Sequence, residues 1–191
     1  MALKVVVGEK NIPHLHNEFS HNQSIFSISP EVAVVKAVSF KVCSTGMGAG
    51  MLMEHGGSPA MTIYSESAKH IKPALNDLAS IHKTGYQHGD ARIANLIIFE
   101  GQYWWCDLQF AMHHSEDELM KRSFKSDIVT LMASLGKGSL VESSAFMIAL
   151  DSYRPESTDS EGLIEFLEQD GKGTNAGRSP STKTEMDDDD D

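Results

Sequence analysis
Three oxygen-bearing side chains, set at a fixed spacing, could do chemistry together. The run His88-Gly89-Asp90-Ala91-Arg92-Ile93-Ala94-Asn95 carries a carboxylate and a carboxamide, and Asp107-Leu108-Gln109 follows it after two β-rich runs. Phosphoryl transfer from ATP asks for such a set. The protein does little covalent work in that reaction; it positions an acceptor and neutralises phosphate charge. One carboxylate must sit beside the acceptor hydroxyl, and oxygen ligands must hold Mg²⁺ against the β- and γ-phosphates. A loop bearing Asp90 and Asn95 can aim both side chains into one cleft. A hairpin returning to that cleft delivers Asp107 as a hard ligand for Mg²⁺. Arg92 is placed to contact the transferring phosphate.

The elements that must position these groups are visible as patterns. In residues 67–82 the apolar Ile71, Leu75, Leu78 and Ile81 recur at helical spacing, and Gly85 follows as a stop. LIIF (96–99) and QYWWC (102–106) flank Glu100-Gly101, which reads as a hairpin. Trp104 and Trp105 then face opposite ways, one buried and one partly exposed. Asp127 opens a helix whose Ile128, Leu131, Met132 and Leu135 share one face, with Gly136 closing it. Further helices are expected over 140–150 and 160–169. Upstream, the valine-rich residues 31–42 read as a strand, the glycines of 44–50 as a turn and residues 51–55 as a second strand, broken by GGSP at 56–59.

The order of these features resembles the protein-kinase superfamily. His88-x-Asp90-x₄-Asn95 matches the catalytic-loop pattern, and Asp107-Leu108-Gln109 stands where that family has D-F-G. The likeness covers roughly residues 31–136. It implies an α+β, kinase-like fold over 1–169, with a truncated small lobe of residual strands (about 1–55) and a mainly helical large lobe (about 60–169). It implies Asp90 as the aspartate facing the acceptor hydroxyl, Asn95 and Asp107 as the metal ligands, and Asp127 as a structural partner of the loop. The backbone around Glu54, His55 and Gly56 would meet the adenine of ATP. The wording HGDARIANLI also resembles the kinase-like domain of crinkler-type effectors, and His-Gly-Asp is found in small-molecule kinases such as the aminoglycoside phosphotransferases.

Several departures accompany the likeness. Gly46, Gly48 and Gly50 follow the valine strand, whereas a phosphate loop should come first. Lys36 in VAVVK mimics V-A-I-K, but the gap from it to Met51 cannot hold a helix and another strand. Residues 31–42 are therefore read as the fourth strand of the kinase pattern and Lys36 as an exposed strand residue. The small lobe then lacks the lysine and its glutamate partner. The stretch from Asp107 to Asp127 is short for an activation segment and has no A-P-E. Two functions follow: an ATP- and Mg²⁺-dependent phosphotransferase acting on a protein or small-molecule hydroxyl, or a pseudokinase or truncated kinase fragment acting as a protein-binding module.

Composition narrows the partners. The chain has 191 residues and a net charge of −11, of which residues 170–191 supply −4. Those last residues are Gly, Ser, Thr, Pro and Asp with almost nothing apolar, the signature of a disordered acidic tail. The remainder has no basic face, which argues against nucleic acid. No apolar run approaches the ~20 residues of a membrane span. Two cysteines, Cys43 and Cys106, make no disulfide framework. With no signal-peptide pattern at the N-terminus, the expected setting is soluble and intracellular, and a host cell if the chain is an effector. His14, His16, His113 and His114 lack ligand-spaced cysteines or carboxylates and read as surface histidines.

Overall fold
Alternation in the first seven residues builds a strand whose one cation is turned inward. The computed structural model describes residues 1–60, 67–115, 117–155, 163 and 165–167. In the helices over 67–82 and 117–134, side chains are described from 71 and from 122 onward. β1 (Ala2–Val7) exposes Leu3, Val5 and Val7 and half-buries Ala2, Lys4 and Val6. It pairs antiparallel with β3 (Gly48–Met53), from Ala2↔Met53 to Val7↔Gly48. β3 also pairs with β2 (Ala37–Val42), giving the order β1-β3-β2.

Helix α1 (Ile12–Ile28) crosses this sheet with Pro13 in its first turn, where proline's missing N–H costs nothing. It was not foreseen, and its buried face explains why. The residues it buries are Leu15, Glu18, Asn22 and Ile25, so half of the inward stripe is polar and the hydrophobic period is masked. Each buried polar group is satisfied. Asn22 donates to the Val35 carbonyl at 2.8 Å and accepts from the Ala37 amide at 2.8 Å. Leu15 packs with Ala37, Ala49 and Met51 in a small core of its own.

The strand expected over 31–42 is half right. Only Ala37–Val42 joins the sheet; residues 33–35 run beside the hairpin, with Val35 N–H on the Trp105 carbonyl and Trp105 N–H on the Ala33 carbonyl, both at 2.9 Å. β3 starts at Gly48, inside the expected turn of 44–50, and ends at Met53, so Glu54 and His55 lie beyond it rather than inside a strand.

The larger part is helical. α2 (Ser67–His82) buries Ile71, Leu75, Leu78 and Ile81 as its spacing requires. β6 (Leu96–Phe99) and β7 (Gln102–Trp105) form the expected hairpin, with φ of 51° at Glu100 and 77° at Gly101 suiting a two-residue turn with both residues left-handed. Trp105 is fully buried and Trp104 partly exposed. β4 (Ser58–Pro59) adds to the edge of β6, and β5 (Tyr86–Gln87) pairs with β8 (Met112–His113).

α3 (Asp117–Ser134) buries Phe124, Ile128, Leu131 and Met132, and starts ten residues before the expected opening at Asp127. Aspartate is a good helix opener, but this one lies mid-helix with its carboxylate committed to another chain segment. The helix expected over 140–150 is two, α4 (Gly138–Val141) and α5 (Ser144–Asp151). Ser143 breaks it by capping α5, its Oγ accepting the Phe146 N–H at 3.1 Å. Leu163 and residues 165–167 are helical; the rest of 160–169, and the acidic residues 170–191, lie outside the described residues. Among the described residues no helix is long and apolar enough to cross a membrane. The architecture is α+β, a small three-stranded sheet with one helix beside a mainly helical part.

Candidate active site
Lys4 ties these two parts together. Its ammonium donates to Glu18 Oε2 at 2.7 Å and to Asp107 Oδ1 at 2.9 Å. β1 supplies the lysine, α1 the glutamate, and the end of the β6–β7 hairpin the aspartate. Against the expectation that this part of the chain lacks a lysine with a glutamate partner, Lys4 and Glu18 form such a pair. Lys36 lies over the Phe26 ring, 5.9 Å from its centroid. Glu18 is almost wholly buried, and the burial raises its carboxyl above the ordinary range while Lys4 pulls it back. Lys4 is itself raised: burial disfavours its charge, and the bonds and charges of Glu18 and Asp107 outweigh that. The signal that was missed is Ala2-x-Lys4 in an alternating apolar strand, with Glu18 on the stripe of Leu15 and Asn22.

Asp107 closes the hairpin in a left-handed conformation, φ 64° and ψ 61°, one of two non-glycine residues with positive φ among the described residues. Such backbone costs on the order of 1 kcal/mol or more and persists where surrounding structure dictates it. Here it turns the carboxylate toward Lys4.

The loop from His88 to Asn95 is fixed from beneath by Asp127. Oδ2 accepts the His88 N–H at 2.7 Å and Oδ1 accepts the Gly89 N–H at 3.0 Å. His82 Nε2 donates to Oδ2 at 3.1 Å, and its Nδ1 accepts from the Tyr153 hydroxyl at 2.9 Å. Gly89 has φ 81°, and a Cβ there would run into the Phe110 carbonyl oxygen, so only glycine fits between the loop and the segment after Asp107. The His88 ring joins the two motifs: Nδ1 accepts the Asp90 N–H at 3.3 Å and Nε2 donates to the Cys106 carbonyl at 3.1 Å.

Above this base stand the predicted side chains. Arg92 forks both oxygens of Asp90, Nε to Oδ1 at 2.6 Å and the second nitrogen to Oδ2 at 2.7 Å. Asn95 Nδ2 donates to Asp90 Oδ2 at 2.9 Å and to its carbonyl at 2.8 Å. The Arg92 and Asn95 bonds hold the Asp90 carboxyl below the usual carboxylate range. Both bonds of Asn95 use its nitrogen, which leaves Oδ1 for a cation. Asp90, Arg92, Asn95 and Asp107 are therefore gathered at one site, with Asp107 and Asp90 both acting electrostatically on His88 and Arg92. Residues 54–56 form the connection from β3 toward β4, with Glu54 N–H on the Lys36 carbonyl at 2.9 Å. The His55 ring turns away onto the hairpin, stacked on Phe99 at 4.5 Å and edge-on to Trp104 at 4.7 Å.

The buried histidines make a pH prediction. Both nitrogens of His82 are committed in the neutral form, and burial depresses its proton affinity despite the pull of Asp127. Below the ordinary histidine range the unfolded chain binds a proton that the folded one refuses, so this contribution is present at neutral pH and lost in acid. Asp77 acts oppositely: burial lifts its carboxyl to about 7, so its protonation favours the fold as pH falls. With Asp77→Asn removing that opposing effect, the unfolding midpoint is expected to fall by several degrees between about pH 7 and about pH 5.5. A midpoint that holds or rises over that interval would contradict the neutral assignment.

The comparisons agree with this geometry at the level of fold. No family model matches the chain, and no curated protein matches it in sequence. Among solved structures, WaaP in complex with acyl carrier protein superposes with a TM-score of 0.52 at 13% identity, covering 90% of this chain and 78% of that one. A divergent kinase lacking the glycine-rich loop, which regulates membrane ultrastructure of the Toxoplasma parasitophorous vacuole, gives 0.52 at 13% identity, over 87% of this chain and 71% of that one. The protein has a protein-kinase-like fold.

Proposed function
We propose that this chain is an ATP- and Mg²⁺-dependent phosphotransferase that moves the γ-phosphate to a hydroxyl acceptor, on a protein or a small molecule. The observation that carries the reading is the Lys4 ammonium held between Glu18 and Asp107, beside a loop presenting Asp90 and Asn95. A lysine so held is preset for phosphate oxygens, because Glu18 fixes its stem and direction whether or not Asp107 is occupied.

The donor set fits Mg²⁺. Asp107 already carries a cation on Oδ1, and Asn95 Oδ1 is a second hard oxygen. Among the described residues no three His, Cys, Asp or Glu groups cluster for a metal. Two protein oxygens with substrate phosphates completing the shell is the arrangement Mg²⁺ favours. When bound, the ion supplies charge neutralisation across the β- and γ-phosphates.

The chain's own residues do the rest. Asp90, kept ionised by Arg92 and Asn95, accepts the hydrogen bond of the acceptor hydroxyl and orients its oxygen. The Arg92 fork must open for that, and its guanidinium then serves the transferring phosphate. The backbone of residues 54–56 meets the adenine edge.

A second reading, a kinase-like module acting through protein contacts, is favoured by one fact: Lys4, Glu18, Asp90, Arg92 and Asp107 are all paired within the chain. Thermal unfolding with Mg²⁺-ATP separates the two. Millimolar nucleotide is expected to raise the midpoint by mass action. Asp107→Asn should abolish that shift, whereas Asp90→Asn should keep the shift and lose phosphate transfer by about 10² or more. Transfer surviving in Asp90→Asn sinks the mechanism, and no shift in the parent protein leaves the binding module.

A further inference from the structure
The small sheet ends in two free edges that are built differently. Its order is β1-β3-β2, so β1 and β2 each leave one side unpaired among the described residues. A bare edge invites another strand, and proteins blunt it with bulges and charges. β2 has both devices. Its register breaks between Ala37 and Ser39, and Lys41, opposite Gly50, stands on the outer face. β1 has neither. Its pairing runs unbroken from Ala2 to Val7, no proline interrupts it, and its one charge, Lys4, is turned inward to Glu18 and Asp107. What it shows to solvent is Leu3, Val5 and Val7, at 65%, 59% and 77% exposure.

The direction of the backbone groups on that edge follows from the ladder. In an antiparallel pair, alternate residues address the same neighbour with both N–H and C=O. Gly8 N–H donates to the Met47 carbonyl at 2.7 Å, in step with the register that ends Val7↔Gly48. Gly8, and with it Val6, Lys4 and Ala2, therefore addresses β3. The groups of Leu3, Val5 and Val7 point to the open side. The Val7 carbonyl agrees: it accepts from the exposed Asn11 Nδ2 at 2.7 Å rather than from β3, and its second lone pair stays available.

We infer that β1 is a self-association edge, to which a second copy of this chain adds its own β1, antiparallel, across a two-fold axis. Residues directly opposite each other share a face of the sheet, so the outer faces of the two copies stay together only in registers that pair residues of like parity. Charge then chooses among these. An axis through Lys4 sets two lysines against each other, and an axis through Val6 sets Leu3 against Glu9. An axis through Val5 pairs Val5 with itself and Leu3 with Val7, lays Lys4 beside Val6, and brings no charge opposite another. These are also the residues whose N–H and C=O point outward, so each such pair exchanges both hydrogen bonds. Leu3, Val5 and Val7 of the two copies join in one apolar strip on the outer face. β1 is in this sense its own complement, whereas β2 of a second copy would bring its bulge and Lys41 to the contact. A six-residue strand is about 20 Å long and gives a contact at the low end of specific interfaces, so the dimer is reversible. Lys4 keeps its partners in both copies, and the inference does not rest on phosphate transfer.

The test is sedimentation velocity together with amide hydrogen exchange, read by NMR, on the full chain. Between about 10 μM and about 500 μM, a range suited to a small interface, a shift from one copy to two is expected, with no larger species. Over the same rise the amides of Leu3, Val5 and Val7 should slow by at least about threefold, while those of Lys4 and Val6, already bonded to β3, keep their rates. Val5→Lys sets two ammonium groups on the axis and should abolish the dimer; Ser39→Lys, at the other edge, should leave it intact. Because Val5 is more than half exposed, the unfolding midpoint of Val5→Lys should stay within about 2 °C of the parent's. A chain that stays monomeric throughout overturns the inference, as do oligomers that grow beyond two copies. So does a dimer that survives Val5→Lys, or one in which the three outward amides exchange as fast as in the monomer.

Discussion
Lys4→Met is expected to lower phosphate transfer by at least about a hundredfold while the chain stays folded. Methionine keeps the unbranched apolar stem of lysine but ends short of the ammonium, so both the charge and its two hydrogen bonds are lost. What it leaves behind is instructive. Glu18, almost wholly buried, loses its counterion, and Asp107 loses the cation on Oδ1. Burial already raises Glu18, so without Lys4 its carboxyl protonates more readily and sheds most of the penalty of a lone buried charge. The fold therefore tolerates the change better than the site does. Glu18→Gln should cost less activity than Lys4→Met, because the lysine remains while its direction is loosened. Mg²⁺-ATP titrations on both variants check this order. Equal activity of Lys4→Met and the parent would remove the ammonium from the mechanism and, with it, the main support for the phosphotransferase reading.

That lysine was the least legible part of the site, for reasons that lie in particular residues. Asp90, Asn95 and Asp107 were readable because a loop and a two-residue hairpin are local structures. The spacing of the motifs and the Glu100-Gly101 turn state them directly. Asp127 was readable as a partner of the loop, though not as the middle of α3, since an aspartate before an apolar stripe imitates a helix start. Lys4 and Glu18 meet only through tertiary structure. The strand that carries Lys4 pairs with β3, more than forty residues later, and the helix that carries Glu18 buries Glu18 and Asn22 where a periodic pattern would have leucines. Each polar residue there is stabilised by a distant partner: Glu18 by Lys4, Asn22 by the backbone of Val35 and Ala37. A helix whose inward face is half polar hides from a search for hydrophobic periods.

Asp127→Ala is expected to be the most destabilising single change in the site, by roughly 3–5 kcal/mol. Its carboxylate is 1% exposed and holds three donors: the His88 N–H, the Gly89 N–H and His82 Nε2. Alanine strands all three out of reach of water. For a chain of this size the loss corresponds to roughly 10 °C in the unfolding midpoint. Asp127→Asn separates stability from positioning. It keeps the volume and one acceptor oxygen, but turns an NH₂ toward one of the N–H donors. The unfolding cost should fall to about 1–3 kcal/mol, the magnitude of one unsatisfied buried donor. The loop, though, has lost one of two anchors. His88 and Gly89 lead directly into Asp90, and the His88 ring couples the loop to the Cys106 carbonyl just before Asp107. A tilt of the loop therefore moves both carboxylates relative to one another. Asp127→Asn should then lower kcat by more than its stability loss predicts, with the KM for Mg²⁺-ATP changed less, because Asp107 still binds while Asp90 is misaligned. If kcat tracks only the folded fraction measured by unfolding, Asp127 acts as a core residue alone, and the geometry of Asp90 does not depend on it.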